Sequence, residues 1–188
     1  IIEPDKPLEL NQVEISDPSG TEVLIKVIST GVCHSDLHLW EGGYDTGDGF
    51  MKVTDRGVKF PVTPGHEVVG TIEKIGDSVQ DVKIGDNVLV YPWIGPKNCE
   101  CTSCKKGDTN LCETPQSLGV FQDGGYAEKI IIPDYKFLAN IGDANPDSAS
   151  SLACSGLTAY TAIKKALVNN PESILIVGAG GLGLMGVQ

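Results

Sequence analysis

Four of the six cysteines crowd into one short segment: Cys99, Cys101, Cys104 and Cys112, in N-C-E-C-T-S-C-K-K-G-D-T-N-L-C. The other two stand far from it and from each other. Cys33 lies in G-V-C-H-S-D and Cys154 in L-A-C-S-G-L-T-A-Y, and between them comes the triplet Gly65, His66, Glu67. Four thiolates close together suit a closed tetrahedral zinc site. Two thiolates and an imidazole gathered from distant segments suit a catalytic zinc, which takes three protein ligands and keeps a fourth position open. Taken one at a time, Cys33, Cys154 and His66 read more simply as buried thiols and a core histidine. Read together, with both patterns in one chain, they imply a two-zinc enzyme.

The motifs also run in a recognisable order: G-V-C-H-S-D, P-G-H-E-V-V-G, I-G-D-N-V, C-x-x-C-x7-C, C-S-G-L-T-A-Y and V-G-A-G-G-L-G. In this the chain resembles the zinc-dependent medium-chain alcohol dehydrogenases, close to the archaeal and yeast type. The resemblance implies catalytic-zinc ligation by Cys33, His66 and Cys154. It gives Glu67 a supporting place beside the metal, and Asp36 is expected to orient His66 from behind, or else to serve as a helix-start acid. Ser35 and His38 match the family's proton-transfer positions; the plainer alternative is a helix cap and a surface histidine. His34 matches a position near the cofactor pyrophosphate and Thr158 one near the nicotinamide. Trp93 matches a residue that narrows the alcohol pocket, with Leu118 and Val120 adding to its wall.

The cysteine-rich lobe departs from the family spacing C-x-x-C-x-x-C-x7-C. Cys101, Cys104 and Cys112 obey it, but the first ligand should fall at Asn98, and the nearest cysteine is Cys99. Cys99 is the first choice for the fourth ligand, and Glu100 remains an alternative. A site this closed serves stability rather than catalysis.

The elements that must hold these residues are strands over the first two-thirds. Leu8 to Ile15 and Glu22 to Thr30 run apolar or alternate around the turn at Pro18, Ser19 and Gly20. Glu67 to Ile75, Asn87 to Tyr91 and Tyr126 to Ile132 follow, a density that predicts a partly open barrel. By resemblance this is a GroES-like catalytic domain over residues 1–150. After Pro146 the spacing turns helical: Asp147 to Leu152, then Gly156 to Leu167, with Leu157, Tyr160, Ile163 and Leu167 on one face. Ile174 to Val177 has the composition of a buried parallel strand, which cannot stand without neighbours. Gly178, Gly180, Gly181, Leu182 and Gly183 then form a G-x-G-x-x-G turn into a helix at Leu184 to Gln188, suited to a dinucleotide pyrophosphate. Residues 151–188 are therefore expected to be a linking helix and the opening of a Rossmann domain. The fold class is α/β with a β-rich part. A first residue other than Met, and an end just inside the glycine motif, predict a piece of a longer enzyme.

The formal net charge of -11 gives no basic face for nucleic acid. No apolar run approaches a membrane span. The C-x-C-x-x-C spacing is a poor disulfide framework and fits reduced, metal-bound thiols in the cytoplasm. The expected chemistry is interconversion of a small alcohol with an aldehyde or ketone, using two zincs and NAD or NADP, with NAD favoured. The family implies a homo-oligomer, dimer or tetramer. A non-catalytic zinc module would leave Cys33, His66 and Cys154 without purpose, and a zinc-free quinone reductase is disfavoured by the same three residues. Where polyol enzymes tend to carry a glutamate, this chain has Cys154.

Overall fold

A computed structural model describes all 188 residues. In chain order the elements are β1 (Val23–Gly31), α1 (His34–Glu41), β2 (Gly43–Asp45), β3 (Phe50–Lys52), β4 (Glu67–Ile75) and β5 (Asn87–Val90). Then come α2 (Thr102–Lys105), β6 (Lys129–Ile132), β7 (Leu138–Asn140), α3 (Pro146–Ala149), α4 (Ser155–Ala166) and α5 (Gly181–Val187). Five strands form an antiparallel sheet in the order β6-β1-β4-β5-β7, and β2 pairs with β3 in a separate hairpin.

Alternation builds the core. Val23, Ile25, Val68, Ile72, Val88, Val90, Ile130 and Ile132 point to one side and meet Ile94 and Leu118 in a single buried cluster. β-branched side chains dominate it, as a pleated, half-buried surface favours. A second cluster of Ile1, Leu39, Val53, Val58 and Val62 packs under α1 and the β2–β3 hairpin.

The long central pair β1–β4 positions the site. Its register ends with Gly31 opposite Glu67. β1 therefore stops two residues before Cys33, and β4 starts one residue after His66. Both potential ligands emerge from the same end of one ladder. The chain then turns at once into α1, where Cys33 is the N-cap and Asp36, at the third helical position, accepts the Cys33 N–H at 2.9 Å. Such a reciprocal cap fixes where a helix begins. The helix stops at Gly42, whose φ of +81° suits the left-handed closing residue. Farther on, the Ser29 hydroxyl donates to the Pro146 carbonyl at 2.6 Å, tying α3 back to β1.

Three expectations from sequence need correction. Leu8 to Ile15 is not a strand, and Leu10 and Val13 are exposed. β1, the next strand in sequence, is paired on both sides by β4 and β6, so this segment forms no hairpin with it. Ile174 to Val177 is not a strand either; Leu175 is 87% exposed and Val177 90%. No other strand of this chain lies beside it, and a strand's amides need partners. The strand expected from Tyr126, β6, begins only at Lys129, since residues 124–126 turn aside to bond residues 63–65. The helices after Pro146 form as the spacing predicts, with a 3-10 turn at Ser150–Ala153 between α3 and α4. β2, β3 and β7, three residues each, are too short for their patterns to have announced them.

Candidate metal centres

The first centre gathers Cys33 from the end of β1, His66 and Glu67 from the start of β4, and Cys154 from the N-terminus of α4. Their sulfurs, a ring nitrogen and a carboxylate oxygen all lie within 4.8 Å of one another. The two sulfurs are 3.9 Å apart, although 121 residues separate them in the chain. His66 is fully buried. Its Nδ1 lies 3.2 Å from Asp36 Oδ1, and a carboxylate can only accept, so Nδ1 carries the proton. The other nitrogen, Nε2, is buried with no hydrogen-bond partner in the protein. An orphaned buried nitrogen is costly. Beside two sulfurs it has the chemistry of a zinc ligand.

Electrostatics describe a thiolate facing a protonated imidazole, and a metal bound at Nε2 would displace that proton. Hydrogen bonding from Cys154, then from His66, lowers the Cys33 thiol to about 3, while the same sulfur pair pushes Cys154 up. Burial alone would lower His66, but Asp36 and Cys33 raise it to about 9. Burial and the neighbouring Cys33 raise Glu67. Without a cation the pocket holds a negative sulfur and carboxylates in low dielectric, the setting that a divalent ion relieves.

Asp36 is the hinge of the arrangement. One carboxylate oxygen accepts from Gly65 N–H at 3.2 Å and faces His66; the other accepts from Cys33 N–H at 2.9 Å and from the Tyr126 hydroxyl at 3.1 Å. Both readings of Asp36 from sequence, helix-start acid and histidine orienter, describe the same side chain. Two glycines admit the others. A Cβ on Gly31 would come within 2.0 Å of Glu67 Oε2, and one on Gly65, at φ +94°, within 2.5 Å of the Tyr126 ring.

The second centre is the lobe after β5. Cys99, Cys101, Cys104 and Cys112 bring four sulfurs within 4.8 Å of one another. Asn98 adopts φ +60°, a left-handed turn that asparagine tolerates, and this kink delivers Cys99. The Glu100 carboxylate is exposed and pairs with Lys105 at 2.8 Å, away from the sulfurs. Backbone amides of Glu113 and Cys104 hold the Cys101 thiol down to about 6. Gly95 passes so close that an added Cβ would lie 3.0 Å from Cys112 Sγ and 3.1 Å from Cys104 Sγ. The Thr109 hydroxyl donates to the Trp93 carbonyl at 2.8 Å, fastening the lobe to the strand end beside the first centre.

Around the first centre, the Ser35 hydroxyl lies 3.8 Å from Cys33 Sγ. His38 is half-buried, with Nδ1 3.3 Å from Glu41, and its ring packs against His34 and Tyr44. His34 is exposed on the first turn of α1. The Trp93 ring sits 5.3 Å from the His66 ring. Val120 is half-buried against the second cluster. Leu118 does not match its expected place in an open pocket wall. It is 1% exposed inside the principal core, and a side chain sealed there presents no surface to a ligand. Thr158 is exposed on α4, and its N–H donates to the Cys154 carbonyl at 2.8 Å.

The glycine turn stands apart from this cluster. Gly178 has φ +102°, and a Cβ on Gly183 would come within 1.9 Å of the Gly178 carbonyl oxygen, so this turn closes on glycine. Gly180 caps α5, while Gly181 and Leu182 open it. Gly178, Gly180, Gly181 and Leu182 are exposed and Gly183 is half-buried. Sequence reasoning missed Tyr126, Gly31, Gly65 and Gly95. Only Gly65, beside His66, and the pair Gly124–Gly125 before Tyr126 gave any signal.

Residues 19–143 match the alcohol dehydrogenase GroES-like domain family. An NAD-dependent alcohol dehydrogenase of Saccharolobus solfataricus is 44% identical over 189 residues, covering 100% of this chain and 53% of that protein. Among solved structures, the D-arabinose dehydrogenase of Sulfolobus solfataricus superposes with a TM-score of 0.80 at 32% identity, over 93% of this chain and 52% of that one. A cobalt- and zinc-bound thermostable alcohol dehydrogenase from Pyrobaculum aerophilum gives 0.77 at 30% identity, over 96% and 51%. The chain spans about half the length of the curated relatives it matches.

Proposed function

The chain belongs to the alcohol dehydrogenase GroES-like domain family, and from that premise we propose that it serves a zinc-dependent oxidoreductase interconverting an alcohol with an aldehyde or ketone and exchanging hydride with NAD(P). The observation that carries this reading is the convergence of Cys33, His66 and Cys154 around the unpartnered His66 Nε2. Those three would hold the catalytic zinc, with Glu67 beside them as a supporting carboxylate. Cys99, Cys101, Cys104 and Cys112 would hold a structural zinc. When bound, the metal supplies Lewis acidity and the nicotinamide the hydride chemistry.

The chain's own residues do the rest. Asp36 keeps the His66 proton on Nδ1, which leaves Nε2 as a lone-pair donor. Ser35, beside Cys33, accepts the hydroxyl proton of an alcohol and passes its own toward His38, whose partly open ring hands a proton to solvent. Trp93 and Val120 narrow the approach to His66 and exclude water. His34, Thr158 and the turn from Gly178 to Gly183 face the dinucleotide. In this reading residues 1–150 are the catalytic domain and residues 151–188 open a Rossmann domain. NAD is favoured over NADP, because the S. solfataricus relative is named as NAD-dependent. The reduced thiols that the two centres need support a cytoplasmic location, and the family resemblance supports a dimer or tetramer. No helix is long and apolar enough to cross a membrane.

Metal analysis tests the reading directly. The protein should carry two zincs per chain, and Cys33→Ser or His66→Ala should each lose one, together with nearly all alcohol oxidation by the enzyme, while the sheet keeps its circular dichroism. Two zincs retained in either variant would overturn the ligand assignment.

A further inference from the structure

We propose that Tyr126 is a positioning residue for the first centre, acting on His66 through Asp36. The inference rests on the zinc reading above and adds a residue to it. The Tyr126 hydroxyl is 3.1 Å from Asp36 Oδ2 and 3.5 Å from the Gly31 carbonyl. As the carboxylate only accepts, the phenol donates.

The geometry explains why this bond matters. A carboxylate offers about four acceptor sites, and Asp36 has four partners: Gly65 N–H and His66 Nδ1 on one oxygen, Cys33 N–H and the Tyr126 hydroxyl on the other. With Oδ2 held from two directions, the carboxylate cannot rotate without breaking those bonds, and Oδ1 stays on Nδ1. The ring orientation that presents Nε2 to the two sulfurs is thereby fixed.

Tyr126 is itself anchored to the segment it serves. Gly124, Gly125 and Tyr126 donate their amides to the carbonyls of Thr63, Gly65 and Pro64 at 2.7, 2.7 and 3.0 Å. The tyrosine ring packs against Gly65, where a Cβ would strike it. One loop therefore grips the backbone before His66 and, through one hydroxyl, the carboxylate behind it. Burial and the adjacent Asp36 charge raise the phenol's pKa, so it keeps its proton to donate.

The test uses Tyr126→Phe, which retains the ring against Gly65 and removes only the hydroxyl. Zinc affinity is measured by competition with a chromogenic chelator, with the Cys99–Cys112 site in the same molecule as reference. Cobalt substitution then reports ligand geometry through its visible bands. Loss of an outer hydrogen-bond partner typically weakens a metal site about 10- to 100-fold. For a group one bond farther out we expect up to about 10-fold weaker binding at the first centre, altered cobalt bands and an unchanged second centre. Equal affinities and superimposable spectra in wild type and variant would overturn the role of Tyr126 alone. Equal weakening at both centres would overturn it too, because the effect would then be general loosening. A wild-type chain holding a single zinc, at the second centre, would overturn the zinc reading itself.

Discussion

A single carboxylate, Asp36, closes the first turn of α1, holds the Gly65 amide and fixes a histidine. This economy follows from how tightly Cys33 and His66 are packed, for one acceptor must answer every donor between them. Ser35 shares that crowding, with its hydroxyl 3.8 Å from Cys33 Sγ. Ser35→Ala should leave both zincs bound yet lower turnover of the enzyme by about 10²- to 10⁴-fold, the usual worth of a placed proton carrier. Wild-type turnover across the pH range would exclude it from proton transfer. The candidate ligands were legible at this scale because cysteine and histidine announce their chemistry by type and spacing. Tyr126 was not, since its contribution depends on which side chain stands opposite in space. Leu118 was misread for the converse reason: sequence gives a residue's neighbours along the chain, but not which side of the barrel wall it faces.

At the scale of elements, the β1–β4 ladder and the cysteine lobe divide the labour. The ladder is held by its own core, whereas the lobe has a three-residue 3-10 link here, a four-residue helix there and little apolar packing. With a metal on its four sulfurs, as proposed, a small lobe of this kind would depend on that metal for shape. Cys104→Ser should therefore lower the melting temperature while leaving the first zinc in place. Each kcal/mol lost lowers Tm by about 2–4 °C in a chain of this size, so a fall of at least several degrees is expected. Unchanged melting with lost turnover would mean that the two centres had been exchanged. Strand β4 was readable because continuous burial and a glycine boundary coincide in its sequence. Leu8 to Ile15 also alternates and forms no strand, because its neighbour in sequence, β1, already has β4 and β6 on its two sides, and the pattern is silent about that.

At the scale of the whole molecule, the segment after Pro146 stands on different terms from the sheet. Ile174 to Val177 joins no strand, and the glycine turn after it is open to solvent. This 188-residue chain should therefore bind zinc but show no saturable micromolar affinity for NADH, followed by cofactor fluorescence. Saturation in that range would show that the turn from Gly178 to Gly183 anchors a dinucleotide without strand partners. Cys154 belongs to this later segment, while Cys33 and His66 belong to the ladder, so a metal held by all three joins two parts that the backbone links only through a span of 121 residues. Such a metal is a clasp, and a clasp can be watched. The Thr158 amide, bonded to the Cys154 carbonyl at 2.8 Å, should exchange its hydrogen with solvent faster once a chelator strips the first centre, while amides within β1 and β4 keep their protection. One backbone proton on α4 would then report the occupancy of a site built mostly elsewhere.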